Sequence, residues 1–381
     1  MLKGGVNMIA PKLRFKADDG NDFPELEAKS LFDICEYRNK QSVGKNYVGT
    51  ENMKQNFSGL ESLDEETEMK GVCYSKGDTL MSNIRPYLRK TWKADREGVC
   101  STDVLVFHPI DVASEYLHYL IASDKFISYV MTGAKGVKMP RGDKEHMMKF
   151  SIMVPSLPEQ QKIADFLSTI DTIIEKQQAT VSAWEERKKG VMQKLFSQEV
   201  RFKADDGSDF PDWEEKEVKD VCSVATGKSN TQDKVDSGKY EFYVRSPIVE
   251  HSDKYLFDEE AVITVRDGVG TGKVFHYVNG KYNLHQRCYR MYDFMGVIGK
   301  YFFYFFSQNF YRRIKAMSAK TSVDSVRMEM ITKMKMNVPS LPEQQKIADC
   351  LSALDTVIQK QKETLERWQE LKKGLLQQMF V

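Results

Sequence analysis

The sequence predicts a mixed α/β (α+β) protein: two globular domains separated by a pair of long antiparallel coiled-coil helices, in a pseudo-two-fold internal duplication. Three observations predict it. One block of sequence occurs twice at long spacing. Each copy continues as an apolar heptad helix. The segments between the copies mix β-branched runs with turn-forming loops and end on apolar helices.

Twelve residues, VPSLPEQQKIAD, stand at Val154–Asp165 and again at Val338–Asp349. Continued to Phe196 and Phe380, the copies agree at 27 of 43 positions. A second repeat opens each half, RFKADDGNDFP at Arg14–Pro24 and RFKADDGSDFP at Arg201–Pro211. The offsets are 187 and 184 residues, far beyond the period of solenoid repeats. The implied partition is a lead-in at 1–24, a first globular domain at 25–153 and a central helix at 154–200. A second domain with its own lead-in follows at 201–337, then a C-terminal helix at 338–381. The two globular segments share little obvious identity.

Pro158 suits the first helical position, where a missing N–H needs no partner. Glu159 puts a carboxylate in the first turn, where the helix dipole favours it. A seam then alternates by four and three through Ile163, Leu167, Ile170, Ile174, Gln177, Val181, Trp184, Lys188, Val191 and Leu195. The second copy repeats it through Ile347, Leu351, Leu354, Ile358, Gln361, Leu365, Trp368, Lys372, Leu375 and Met379. This 3.5-residue period predicts helices that pair along one stripe. Polar seam residues cost stability and fix register; Gln177 and Lys188 coincide with Gln361 and Lys372, as Trp184 does with Trp368. Both helices lie in one chain at matched length, so an intramolecular pair is expected rather than a coiled coil between chains. Each seam covers 33 residues, roughly 50 Å at about 1.5 Å per residue, long enough to act as a ruler.

In the second globular segment, Ala261–Arg266 reads as a strand and Asp267–Lys273 (DGVGTGK) as a tight loop. Val274–Val278 alternates, Asn279-Gly280 predicts a hairpin turn, and Tyr282–Tyr289 a further strand. In the first, Thr79–Ile84 leads into a loop with Arg85, Pro86, Tyr87, Arg89 and Lys90. Each segment is expected to end on an apolar helix, Glu115–Met131 and Val297–Met317. Gly272-Lys273 imitates a phosphate loop, but Asp267 stands where that motif needs glycine and Val274 where it needs Ser or Thr.

Composition narrows the function. The chain is 41% hydrophobic and 29% charged, with net charge +1, so it does not as a whole announce a polyanion partner. Charge is informative locally: residues 218–337 hold 19 Lys+Arg against 13 Asp+Glu. In the first segment acids cluster at Glu61–Glu68, and basic residues at Arg85–Arg96 and Lys135–Lys149. Basic residues mixed with Tyr, Trp and Gln suit DNA, since cations neutralise phosphates while Arg and Gln bond base edges. The candidate contacts are Arg85, Tyr87, Arg89, Lys90 and Lys135 in the first domain. Those in the second are Arg266, Lys273, Gln286, Arg287 and Lys320. The six cysteines have no CxxC spacing and the six histidines no metal-ligand spacing, so neither a metal site nor a disulfide framework is expected. The apolar run Tyr301–Phe306 is too short to span a bilayer and reads as a buried helix. With no secretory signal at the start, a cytoplasmic protein is expected. The sequence contains no NPPY or DPPY motif and no Walker A loop, so no catalytic residue is assigned.

The doubled VPSLPEQQKIAD motif leading into a heptad helix, and RFKADDG…DFP before each globular segment, resemble the specificity subunits of type I restriction-modification enzymes. The likeness follows nearly the whole chain in order. It implies a non-catalytic targeting subunit in which each globular domain is a target recognition domain reading half of a split double-stranded DNA sequence. The helices would set the spacing and dock two methyltransferase subunits, with restriction/translocase subunits joining. The subunit itself would hold no cofactor; S-adenosylmethionine, ATP and Mg would sit on its partners. The competing reading is a DNA-independent scaffold with two heads on a coiled-coil stalk, which the near-neutral charge favours. Heads that differ on matched helices speak against it.

Overall fold

The computed structural model describes residues 11–63, 65–268, 270–317 and 325–380. It divides into two compact units, Met1–Gln178 with Glu363–Val381, and Ala179–Lys362. Among the described residues, no helix is long and apolar enough to cross a membrane.

The first unit runs β1 (Glu27–Ser30), α1 (Leu31–Ile34), β2 (Cys35–Arg38), β3 (Gln41–Gly44), β4 (Met69–Tyr74), β5 (Thr79–Ser82), β6 (Thr91–Lys93), β7 (Gly98–Cys100) and β8 (Val104–Pro109). It continues through α2 (Ser114–Ile121), α3 (Asp124–Thr132), α4 (Lys144–Met148), β9 (Ser151–Val154) and the first part of α5 (Leu157–Phe196). One sheet has the order β2-β8-β5-β6, another β3-β4-β7, and β1 pairs antiparallel with β9. β8 forms because Val104–Phe107 is an apolar run whose members are all buried, as suits a strand covered on both faces. The helix expected over Glu115–Met131 is two helices. Ser123 breaks it: its backbone is extended, its hydroxyl donates to the Leu120 carbonyl at 2.7 Å, and its Oγ caps Phe126 N–H. A serine that bonds neighbouring backbone groups offers the chain an alternative to continuing the helix.

The second unit holds the rest of α5, then β10 (Glu214–Glu217), β11 (Ser223–Thr226), β12 (Tyr240–Tyr243), β13 (Glu250–Ser252), β14 (Phe257–Val265), β15 (Phe275–Leu284) and β16 (Cys288–Tyr292). It ends with α6 (Gly299–Met317), α7 (Met328–Thr332), β17 (Lys335–Val338) and most of α8 (Leu341–Met379). The main sheet has the order β11-β16-β14-β15-β12-β13, and β10 pairs with β17. Its first four members keep the chain-rank order of β2-β8-β5-β6. Asn279-Gly280 does not turn the chain. β15 passes straight through it, Glu260 pairing with Asn279 and Glu259 with Gly280. Gly280 takes φ +131° in open space, a backbone conformation glycine adopts readily, and the ladder continues across it. The expected strand Tyr282–Tyr289 is accordingly split, and the reversal falls at His285–Arg287. α6 buries Tyr301, Phe302, Tyr304, Phe305, Phe306, Phe310 and Ile314 against the sheet.

The repeated motifs do the same work in both units. Arg14 grips Glu159 through Nε and Nη2 at 3.0 and 2.6 Å. Arg201 grips Glu343 the same way at 3.0 and 2.8 Å, and Trp213 Nε1 adds a donor at 3.0 Å. Both glutamates are closed to solvent, which explains why the motif keeps Arg and Glu together. Gln160 accepts from Ala113 N–H and donates to the Pro155 carbonyl; Gln344 does so with Ile298 and Pro339. Each start of a long helix is thereby bolted to its own unit.

In the first unit, Leu376, Met379 and Phe380 share the core of Ile163 and Leu167. In the second, Met192 and Leu195 share the core of Ile347 and Leu351. The end of one long helix thus meets the start of the other in each unit. A matched cluster marks both meetings. Lys372 Nζ lies 2.5 Å from Asp171, which accepts from Tyr119 Oη at 2.8 Å. Lys188 Nζ lies 2.5 Å from Asp355, which accepts from Tyr304 Oη at 2.7 Å. Trp184 is half-buried with the Arg187 guanidinium 5.3 Å from its ring centroid. Trp368, Gln177 and Gln361 are also half-buried on their helices.

Candidate nucleic-acid interface

Four stretches of the second unit that are distant in sequence are tied together by backbone bonds. Lys228 and Ser229 N–H donate to the Leu284 carbonyl, and Gln286 N–H donates to the Ser229 carbonyl. His285 N–H reaches the Tyr243 carbonyl, and Arg266 N–H the Arg287 carbonyl. The result is a cleft of about 300 Å³ lined by Asn230, Thr231, Gln232, Arg245, His285, Gln286 and Arg287. These side chains carry hydrogen-bond donors and acceptors on a rim tied by backbone bonds, residue types of the kind that bond base edges.

Asp267 organises the charge. Its Oδ1 lies 3.0 Å from Arg245 Nη1 and 3.5 Å from Arg287 Nη1. Gln286 Nε2 donates to Asn230 Oδ1 at 2.5 Å. His285 is held below the usual imidazole range by burial first and then by Arg245 and Arg287. Its Nδ1 accepts from Arg287 N–H at 3.0 Å, which leaves the proton of the neutral ring on Nε2, 3.4 Å from the Thr231 hydroxyl.

Of the residues expected from sequence, Gln286 and Arg287 line this cleft. Arg266 is exposed beside it, with its backbone fixed on both sides, since its carbonyl takes Val326 N–H at 2.7 Å. Lys273 is exposed 5.7 Å from the Tyr311 ring centroid and does not line the cleft. Lys320 lies outside the described residues. Asn230, Gln232, Arg245 and Asp267 were not singled out as contacts by sequence. Only sheet pairing brings them together, and no spacing rule announces it.

In the first unit, Arg85 and Tyr87 are exposed on a short turn in which Arg85 and Arg89 both take left-handed φ, 52° and 55°. Arg85 N–H donates to the Pro140 carbonyl. This brings the turn to a loop closed by mutual backbone bonds of Lys135 and Arg141 at 2.8 and 2.9 Å. Lys135 Nζ pairs with Asp143 at 2.7 Å, and Arg141 with Asp103 at 3.0 Å. Arg89 and Lys90 are tied inward: Arg89 Nε lies 2.7 Å from Asp124, and Lys90 Nζ donates to the Thr50 carbonyl at 2.7 Å. Arg85, Tyr87, Lys135 and Arg141 therefore form the outward group.

The comparisons with known proteins agree on one family. The family model for the type I restriction modification DNA specificity domain matches twice, at residues 24–182 and 211–367. The type I restriction enzyme MjaVIII specificity subunit of Methanocaldococcus jannaschii is 25% identical over 310 residues, covering 74% of this chain and 73% of that protein. The solved S subunit of the type I restriction-modification system from M. genitalium superposes with a TM-score of 0.63 at 12% identity, over 98% of this chain and 99% of that one. A chain from the structure described as "Structural basis underlying complex assembly and conformational transition of the type I R-M system" superposes with a TM-score of 0.54 at 17% identity, over 93% and 97%. Two family-model matches that together take in most of the sequence, on two units each framed by the repeated motifs, place this chain in the type I restriction modification DNA specificity family.

Proposed function

We propose that the chain targets a type I restriction-modification complex to double-stranded DNA and performs no chemistry itself. Each unit reads one half of a split sequence through its loop cluster. The observation that carries this reading is one strand order bearing two different loop sets: Arg85, Tyr87, Lys135 and Arg141 on one, Arg, Asn, Gln and His side chains on the other. A shared frame with divergent polar tips suits two half-sites of different sequence. Arg266, Lys273 and Lys320 are proposed as further DNA backbone or base contacts. Arg89 and Lys90 shape the first unit's turn.

α5 and α8 act as an antiparallel coiled-coil spacer within an internally duplicated chain, with Gln177, Lys188, Gln361 and Lys372 fixing register and Trp184 and Trp368 filling the seam. Half-sites one helical turn apart, roughly 34–36 Å, fall within a seam of roughly 50 Å. The duplicated helices present equivalent surfaces to two methyltransferase subunits, and restriction/translocase subunits complete the complex. S-adenosylmethionine, ATP and Mg belong to those partners, and the setting is cytoplasmic. The partition into 25–153 and 201–337 as recognition domains follows the repeated blocks.

Single-molecule sequencing of adenine methylation, in cells expressing the chain with its methyltransferase subunit, tests the reading. A new methylated motif in two parts with a fixed gap supports it. A well-formed complex without such a motif, and without salt-dependent DNA affinity, overturns it in favour of a scaffold.

A further inference from the structure

We propose that the cleft of the second unit is a guanine-reading subsite, in which Arg245 and Arg287 are the base contacts and Asp267 is the positioning residue that aims both. The inference rests on the chain's being a DNA reader and adds which base it reads, and with which atoms.

The geometry carries it. Two guanidiniums share one carboxylate oxygen, and both approach it through Nη1. A guanidinium has five N–H donors in a planar fork, so engaging Nη1 leaves the Nε–Nη2 edge, two parallel donors, for another acceptor. Guanine O6 and N7 present two adjacent acceptors in the major groove, and a bidentate arginine is their matching partner. Arg245 and Arg287 are 42% and 54% exposed, whereas Asp267 is only 27% exposed. The carboxylate thus sits behind the cations, where it orients them.

Asp267 is itself held firmly. The neighbouring Arg266 N–H is bonded to the Arg287 carbonyl at 2.9 Å and its carbonyl to Val326 N–H at 2.7 Å. The turn carrying Arg287 is pinned by Gln286 N–H to the Ser229 carbonyl at 2.8 Å and by His285 Nδ1 accepting from Arg287 N–H. A carboxylate on a surface that meets phosphates opposes binding through its charge. Its presence between two arginines is accounted for by the orientation it imposes.

That opposition makes the test directional. The chain is assembled with its methyltransferase subunits, its motif is read by methylation sequencing, and affinities are measured for motif DNA and unrelated DNA. Arg287→Lys keeps the charge and loses the fork. It should cut discrimination at one guanine of the half-site read by the second unit by about 5- to 140-fold, the equivalent of about 1–3 kcal/mol, while affinity for unrelated DNA holds. Arg245→Lys should act likewise. Asp267→Asn should relax that same guanine while affinity for unrelated DNA stays level or rises, because a negative charge is gone. A merely structural aspartate would lower both affinities together. The proposal is overturned if that half-site has no guanine, if Arg245→Lys and Arg287→Lys leave the motif unchanged, or if Asp267→Asn weakens motif and unrelated DNA in parallel. Failure of the parent reading looks different: the unaltered complex then yields no split motif at all.

Discussion

The two arginine–glutamate locks make a controlled pair, because the units differ at one position beside them. Arg201→Ala removes two charged bonds to Glu343 but leaves Trp213 Nε1 donating at 3.0 Å. Arg14→Ala removes two bonds to Glu159, and Leu26 stands at the position in the repeat that matches Trp213. Leu26 offers no side-chain donor. Stripping the partner from a buried carboxylate costs about 3–5 kcal/mol. The arginine side chains are 31% and 24% exposed, so water relaxes part of this and the lower half of the range applies. A bond from a neutral donor to a charged group is worth about 1.5–3 kcal/mol, part of which the indole still supplies in the second unit. Arg14→Ala should therefore cost about 3–4 kcal/mol and Arg201→Ala about 2. With a urea slope of about 2 kcal/mol per molar, the midpoints should fall by about 1.5–2 M and about 1 M. Hydrogen exchange in graded urea separates the units, with peptides of β8 reporting the first and of β16 the second. Adding Leu26→Trp to Arg14→Ala should recover about half the gap. Equal losses in the two units, or the larger loss for Arg201→Ala, would refute the indole's role.

Arg266→Ala should weaken DNA binding by about 1–3 kcal/mol if the side chain makes a bidentate base contact; electrophoretic titration with unchanged affinity and unchanged preference removes it from the interface. Inserting one helical turn after Gln177, matched by one in α8 before Gln361, should change the spacer in the methylated motif and leave both half-sites alone; altered half-sites would end the ruler model. His118 is pushed down to about 3, by burial first and then by Lys372 and Lys93. Its neutral folded form does not bind the proton that the unfolded chain takes up below about pH 6.5. The first unit should therefore lose stability as pH falls from about 6.5 towards 3, by at most about 1.4 kcal/mol per pH unit from this group. His118→Gln should flatten that slope in urea titrations at pH 7 and pH 5, and an unaltered slope would show that the imidazole is protonated in the fold.

By itself the sequence determined the helices, the duplication and the family resemblance. Those signals are local: a 3.5-residue period, a proline beside a helix start, twelve letters written twice. A period survives in one dimension because each helical N–H bonds a carbonyl only four residues back. The sequence also marked Glu159 and Gln160 as worth repeating, but offered only the helix dipole as a reason. The tertiary structure supplied another, since Glu159 and Gln160 are buried and their partners, Arg14 and Ala113, lie 145 and 47 residues away. Asn279-Gly280 shows the limit of local reading. A dipeptide that favours a hairpin became mid-strand, because the ladder from Phe257 to Thr264 rewards continuing past it. The cleft was the least legible part. Gln286 and Arg287 could be chosen by residue type, but Asn230, Arg245 and Asp267 become neighbours only when β11, β12, β14 and β15 take their places. Which side chains converge is decided by strand order, a property of long-range pairing that no local window of sequence contains.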